Sequence, residues 1–228
     1  MKLVKASFEI LAIMGLYDGE DDEGCFMYRN NSLLLIEEAG RTCYKSEDNI
    51  APGSAEKFVQ KLINLGHESV LEHSAMTVKF ICDRGVSHEL VRHRLASFSQ
   101  ESTRYCNYKG GVSFIIPSWV DIEEGEYPSK DSYPTSELTS QEWYDTMIYL
   151  DKSYNFLIRK GWSPQQARSV LPNSLKTELV MTTNFREWRH IFKLRCSKST
   201  HPQMRELMIP LLSKCKELIP VVFDDITY

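Results

Sequence analysis

No two cysteines in this chain form a C-x-x-C pair; the six present, at positions 25, 43, 82, 106, 196 and 215, are scattered. That spacing offers neither a zinc site nor a redox dithiol. In a chain this long it reads as reduced, mostly buried thiols rather than a disulfide framework. None of the six sits in a setting that marks a nucleophile. An excess of positive charge is also missing. The balance of 27 Lys and Arg against 31 Asp and Glu leaves a net charge of −4, which argues against nucleic-acid binding over a broad basic face. No apolar run approaches the length of a membrane span, and no charged-then-apolar stretch marks the N-terminus. A cytoplasmic protein without membrane contact is expected.

Two further absences concern motifs. No G-x-G-x-x-G fingerprint occurs, so a dinucleotide cofactor cannot rest on a Rossmann crevice here. His88-Glu89-Leu90-Val91-Arg92-His93 imitates the zinc-protease pattern, but its histidines are five apart rather than four. On a helix they diverge by about 140°, which removes the metalloprotease reading. His67 and His73, six apart, are neighbours on neither a strand nor a helix. No metal is expected.

What is present suits a soluble globular chain: 42% hydrophobic and 25% charged residues over 228 positions, enough for one large domain or two small ones. Lys2–Met14 reads as a first strand or two, and Gly19–Gly24 as an acidic turn. Asn31–Ala39 reads as a short helix closed by Gly40, with Arg41–Ser46 leading into a loop. Ser54–Leu65 predicts a helix capped by Ser54 and ended by Gly66. Ala75–Cys82 alternates like a strand, and Gly111–Pro117 reads as a buried one. Asp121–Thr139 reads as a surface loop. Thr139 and Glu142 make a capping box for a long helix burying Trp143, Met147, Leu150, Tyr154 and Leu157. Ser163-Pro164 opens another helix, which stops before Pro172. Leu175–Thr182 predicts a strand with Leu175, Thr177, Leu179 and Met181 on one side. Asn184–Arg195 predicts a helix packed through Phe185, Trp188, Ile191, Phe192 and Leu194. The last helix, from about Pro202, packs Met204, Leu207, Met208, Leu211 and Leu218, and Pro210 should kink or split it. Helices alternating with short strands and polar loops suit an α+β fold with a mixed or antiparallel sheet.

The stretch that carries chemistry is Val91–Tyr105, V-R-H-R-L-A-S-F-S-Q-E-S-T-R-Y. Arginine forks bind phosphate and carboxylate through paired hydrogen bonds and stay charged at physiological pH. If Val86–Val91 is helical, Arg92, His93 and Arg94 leave the axis about 100° apart and face three directions. Such a splay suits a helix that meets a cofactor, a substrate and another subunit at once.

The full pattern, R-H-R followed by seven residues and Ser102, then Arg104 and Tyr105, resembles the signature of the flavin-dependent thymidylate synthases. Three weaker phrases extend the resemblance from Arg41 to about Arg205: H-E-x-x-x-E-H at His67–His73, A-R-x-x-L-P at Ala167–Pro172, and Asn184–Arg195. The resemblance implies a single domain over residues 1–228 with that family's fold. It implies methylation of dUMP to dTMP with methylenetetrahydrofolate as one-carbon donor and NADPH reducing bound FAD. By the same resemblance His67, Ser69, Glu72, Arg92, His93, Arg94, Leu95, Asn184, Arg186 and His190 would border the flavin. Glu89, Arg92, Gln100, Glu101, Ser102, Arg104 and Arg168 would hold dUMP, and Arg195 would polarise the pyrimidine. A homotetramer sharing active sites between subunits is implied too.

The chain departs from the family pattern in three places. His190 stands where several relatives have asparagine, Gln100-Glu101 replaces an Asn-Glu pair in shifted register, and Glu89 replaces a glutamine. Chemically, uracil C5 becomes nucleophilic when negative charge on the ring is stabilised, and a fixed guanidinium does this without proton transfer. Ser102 has no evident general base beside it in its motif. The other class to weigh is a non-catalytic nucleotide- or RNA-binding protein built on the arginines and nearby aromatics, with salt-sensitive binding and no chromophore.

Overall fold

Two antiparallel strands of nine residues form the spine of the molecule, because β-branched and apolar residues alternate along both. The computed structural model describes residues 1–15, 17–20, 26–28, 32–127 and 134–228. In chain order its strands are β1 (Lys2–Val4), β2 (Ser7–Ile13), β3 (Tyr17–Glu20), β4 (Phe26–Tyr28), β5 (Ala75–Asp83), β6 (Ala96–Gln100), β7 (Ser113–Ile115), β8 (Gly125–Glu126) and β9 (Lys176–Asn184). The helices are α1 (Ser32–Tyr44), α2 (Ser54–Asn64), α3 (Arg84–Leu90), α4 (Leu138–Arg159), α5 (Pro164–Ala167), α6 (Phe185–Arg195), α7 (Pro202–Leu218) and α8 (Pro220–Phe223). Most of the acidic turn expected at Gly19–Gly24, and part of the loop expected at Asp121–Thr139, lie outside the described residues.

The fold is α+β. The main sheet is fully antiparallel in the order β2-β5-β9-β6, and a three-stranded mixed sheet runs β7-β1-β8. Met76, Val78, Phe80 and Cys82 of β5 and Leu179 and Met181 of β9 face one way, and α1, α2, α6, α7 and α8 cover them. Buried Trp188 of α6 donates its indole N–H to the Met76 carbonyl at 3.1 Å, so the largest core side chain is also satisfied. A second core lies between β1, β7 and α4, around Leu3, Phe114, Tyr144 and Tyr154.

Register places the chemistry. β5 ends at Asp83, whose carboxylate caps α3 by accepting from the Val86 N–H. α3 then runs back along the sheet. β6 starts at Ala96 opposite Thr183, at the end of β9, where Asn184 caps α6 by accepting from Glu187 N–H. The turn between α3 and β6 is thereby delivered against α6.

Several expectations need correction. Gly40 lies inside α1 rather than ending it, and α1 takes in Arg41–Tyr44. A Cβ at Gly40 would stand 2.7 Å from the Phe58 ring, so this glycine serves close packing of α2. Gly53, not Ser54, is the N-cap of α2; the Ser54 hydroxyl donates to the buried Glu37 carboxylate at 2.8 Å. Glu137, not a Thr139–Glu142 box, caps α4, accepting from Thr139 and Ser140 N–H. Of the kink or split expected at Pro210, the split does not occur: α7 runs unbroken from Pro202 to Leu218. Leu194 and Leu218 are 45% and 47% exposed, outside the core.

Candidate active site

Arg92, His93 and Arg94 leave a turn, not a helix. α3 stops at Leu90, and the Arg92 and His93 N–H groups bond back to Glu89 and Leu90 carbonyls at 3.3 and 3.1 Å. The turn still separates the three side chains: Arg92 and Arg94 are exposed and His93 is buried. Leu95 is exposed, and its carbonyl accepts from the Thr183 hydroxyl at 2.6 Å, locking the turn to the end of β9.

His93 meets α6. Arg195 donates its Nε–H to His93 Nε2 at 3.0 Å, and its two terminal nitrogens donate to Glu89 Oε2 at 2.6 Å and the Glu89 carbonyl at 3.1 Å. The guanidinium is thus held along its edges by the last turn of α3 and the arginine turn. His93 Nδ1 lies 3.4 Å from Glu187 Oε1, and the His190 ring stands edge-on, 6.2 Å between centroids. Burial first, then the charges of Arg195 and His190, pull the His93 pKa from 6.5 down to about 4. Its ring is therefore neutral at pH 7, with one N–H and one lone pair.

His93, Glu187 and His190 bring potential metal-ligand atoms within 4.8 Å of one another. The Arg195 N–H directed at Nε2 claims the one lone pair of the neutral ring. A cation at Nδ1 would need the opposite tautomer and would expel Arg195. The cluster is a hydrogen-bonding chain by its donor pattern.

Beside it, a cavity of about 430 Å³ is lined by Leu95, Asn184, Arg186, Glu187, His190 and Glu72 among others. Arg186 donates to Glu72 at 2.6 Å across its mouth, both side chains half exposed. The cavity offers guanidinium, amide and imidazole donors, which suit the oxygens and ring nitrogens of a flavin. Ser69 lies exposed on the short 3₁₀ turn Glu68–His73 that also carries Glu72, and exposed His67 immediately precedes it, with the Tyr44 hydroxyl 2.6 Å from His67 Nδ1.

The remaining signature residues form a second group. Arg168 donates to Thr103 Oγ1 at 3.1 Å, and Ser102 Oγ accepts from the Arg104 N–H at 3.3 Å. Glu101 accepts from Tyr108 Oη at 2.8 Å and from Lys176 Nζ at 3.3 Å. Gln100 turns its amide N–H₂ to Ser87 and Thr177 at 2.8 and 3.3 Å. Arg104 and Arg168 are both exposed. Sequence reasoning missed Glu187, Lys176, Tyr108 and Thr103. Of these only Glu187 carried a signal, as the third residue after an Asn cap.

A family model described as thymidylate synthase complementing protein matches residues 26–221. A flavin-dependent thymidylate synthase from Corynebacterium aurimucosum is 34% identical over 213 residues, 91% of this chain and 84% of that one. This chain belongs to the flavin-dependent thymidylate synthase family. A second member of that family, from Geobacter sulfurreducens, is 33% identical over 195 residues, 82% of this chain and 78% of its own length. The fold of this flavin-dependent thymidylate synthase family member also matches a solved UMP/dUMP methylase from Streptomyces cacaoi bound with 5-Br dUMP. The TM-score is 0.74 at 23% identity, over 98% of this chain and 96% of that one. At that identity the likeness concerns the fold alone.

Proposed function

We propose that the protein methylates dUMP to dTMP, with methylenetetrahydrofolate as one-carbon donor and NADPH as reductant of bound FAD. Family membership supports the reaction, and the held Arg195 guanidinium is the observation that carries the mechanism. Of its five N–H groups, one on each terminal nitrogen remains after the contacts to His93 and Glu89. Those two N–H groups suit the edge of a pyrimidine. A guanidinium fixed before the substrate arrives stabilises negative charge on the ring without reorganising, and so makes C5 the nucleophile.

Glu89 then acts through Arg195, orienting it, rather than on the nucleotide phosphate. Arg92, Arg104 and Arg168, with Ser102, are the phosphate and base ligands, and Gln100 and Glu101 border the nucleotide. The flavin is held by His67, Ser69, Glu72, Arg92, His93, Arg94, Leu95, Asn184, Arg186 and His190. When bound, it supplies the hydride that completes the methyl group. The exposed Arg92, Arg94, Arg104 and Arg168 support a homotetramer whose active sites are shared between subunits. The thiols of Cys82, Cys196 and Cys215 are pushed by burial up to about 12, 11 and 12, which makes them poor nucleophiles at neutral pH. That argues against these three buried thiols as the attacking group; Cys43 is exposed and Cys106 half-buried.

The test is direct. The purified protein should be yellow or turn yellow with FAD, oxidise NADPH faster when dUMP is added, and form dTMP only with methylenetetrahydrofolate. A chain saturated with FAD that forms no dTMP with all three substrates would overturn the reading.

A further inference from the structure

Arg195 and Glu187 of α6 face the two ring nitrogens of His93 from opposite ends of the ring. Arg195 carries only donors, so the His93 nitrogen it faces, Nε2, must be the acceptor. The ring proton therefore sits on Nδ1, and the Glu187 carboxylate lies 3.4 Å from that atom. Glu187 and His93 are 11% and 5% exposed at their side chains, so water competes weakly for either. The groups facing His93 are Glu187, His190 and Arg195 of α6, with Glu89 of α3 behind Arg195.

We propose that Glu187 is a positioning residue: its carboxylate holds His93 as the Nδ1–H tautomer, so that Nε2 is free to accept from Arg195 and fix its plane. The inference rests on the assignment of Arg195 to the pyrimidine. A His whose second nitrogen is fixed by a carboxylate keeps one tautomer and one ring orientation. Without the carboxylate the Nε2–H tautomer becomes accessible, and it turns an N–H against the Arg195 N–H. Arg195 is then held by Glu89 alone and can rotate. The Asn184 cap fixes Glu187 in the first turn of α6, since Glu187 N–H donates to Asn184 Oδ1 at 2.9 Å, so the carboxylate stands on a rigid turn.

The experiment compares Glu187→Ala and Glu187→Gln with the wild-type holoenzyme at saturating FAD. Glutamine keeps an oxygen that can accept from Nδ1–H but has no charge. Glu187→Ala should lower kcat roughly 10- to 100-fold, and Glu187→Gln should recover most of it. Protein labelled with ¹⁵N in its six histidine rings, with His93 assigned by its loss in His93→Asn, reports the tautomer itself. Wild type and Glu187→Gln should show protonated Nδ1, and Glu187→Ala should show a shift toward protonated Nε2. Unchanged kcat in Glu187→Ala, equal damage in both variants, or a wild-type ring protonated on Nε2 would each overturn the proposal. Failure of the wild type to form dTMP would instead overturn the functional reading, and the ring spectra would still decide the tautomer.

Discussion

Acid should unfold this protein partly through one histidine. His93 has a folded pKa of about 4 against an ordinary 6.5, so the unfolded chain takes up its proton first. Because the folded value is depressed, the stability it contributes is fully present above pH 6.5 and is lost as pH falls toward 4. At pH 5 the unfolded ring is almost wholly charged while the folded ring is mostly neutral. The difference comes to about 2 kcal/mol at pH 5 and about 3 kcal/mol once pH is below 4. The ring is 5% exposed, so solvent screening takes little from this figure. Other groups also titrate over this range, and His93→Gln isolates the one in question. Urea unfolding of flavin-free wild type and His93→Gln at pH 8 and pH 5 is the assay. Between those pH values the wild type should lose about 2 kcal/mol more than the variant, roughly 1 M in urea midpoint. Parallel losses in the two proteins would refute the reasoning. Activity should fall over the same acid range, since a charged ring turns an Nε2–H toward Arg195.

Three further outcomes are expected. Arg189 is 1% exposed and ion-paired to Asp225 at 2.6 Å and Glu68 at 3.0 Å. Arg189→Ala should cost roughly 3 kcal/mol in chemical denaturation, the low end for a broken buried pair because both carboxylates regain water. Gly40→Ala gains about 1 kcal/mol of helix propensity but forces a methyl against Phe58 and Leu62, at 2.7 and 3.0 Å. Overpacking costs about 1–3 kcal/mol, so the net should be a lowered Tm, and a raised one would contradict the packing argument. Arg168→Ala should raise the dUMP KM about 10-fold, the worth of one charge-assisted hydrogen bond, and leave flavin uptake measured by absorbance unchanged.

The main sheet was legible because its strands alternate: β9 buries Thr177, Leu179, Met181 and Thr183 in strict succession. α6 was legible from its cap and apolar spacing, and α4 from its length. β6 was not, although Ala96-Ser97-Phe98-Ser99-Gln100 alternates. Five residues rich in serine carry little weight, and β9 supplies the pairing that makes them a strand. Gly40 read as a helix stop because its lack of a side chain looks the same whether it ends a helix or admits a neighbouring ring. Pro210 suggests a kink or a split, yet the helix is not split, because Leu207, Met208, Leu211 and Leu212 carry one buried stripe across it. Packing on both sides outweighs the lost backbone bond. Within the site, residue types announced guanidinium chemistry. The partners that aim those groups come from distant segments, as with Arg195 and Glu89, 106 positions apart, and spacing cannot reveal them.

Replacing Arg195 by alanine, with FAD saturating and dTMP formation as the readout, tests the central claim. The guanidinium proposed to polarise the pyrimidine would be gone while the residues proposed to hold the flavin stay, so turnover should fall by about two to three orders of magnitude. Undiminished dTMP formation would contradict the account.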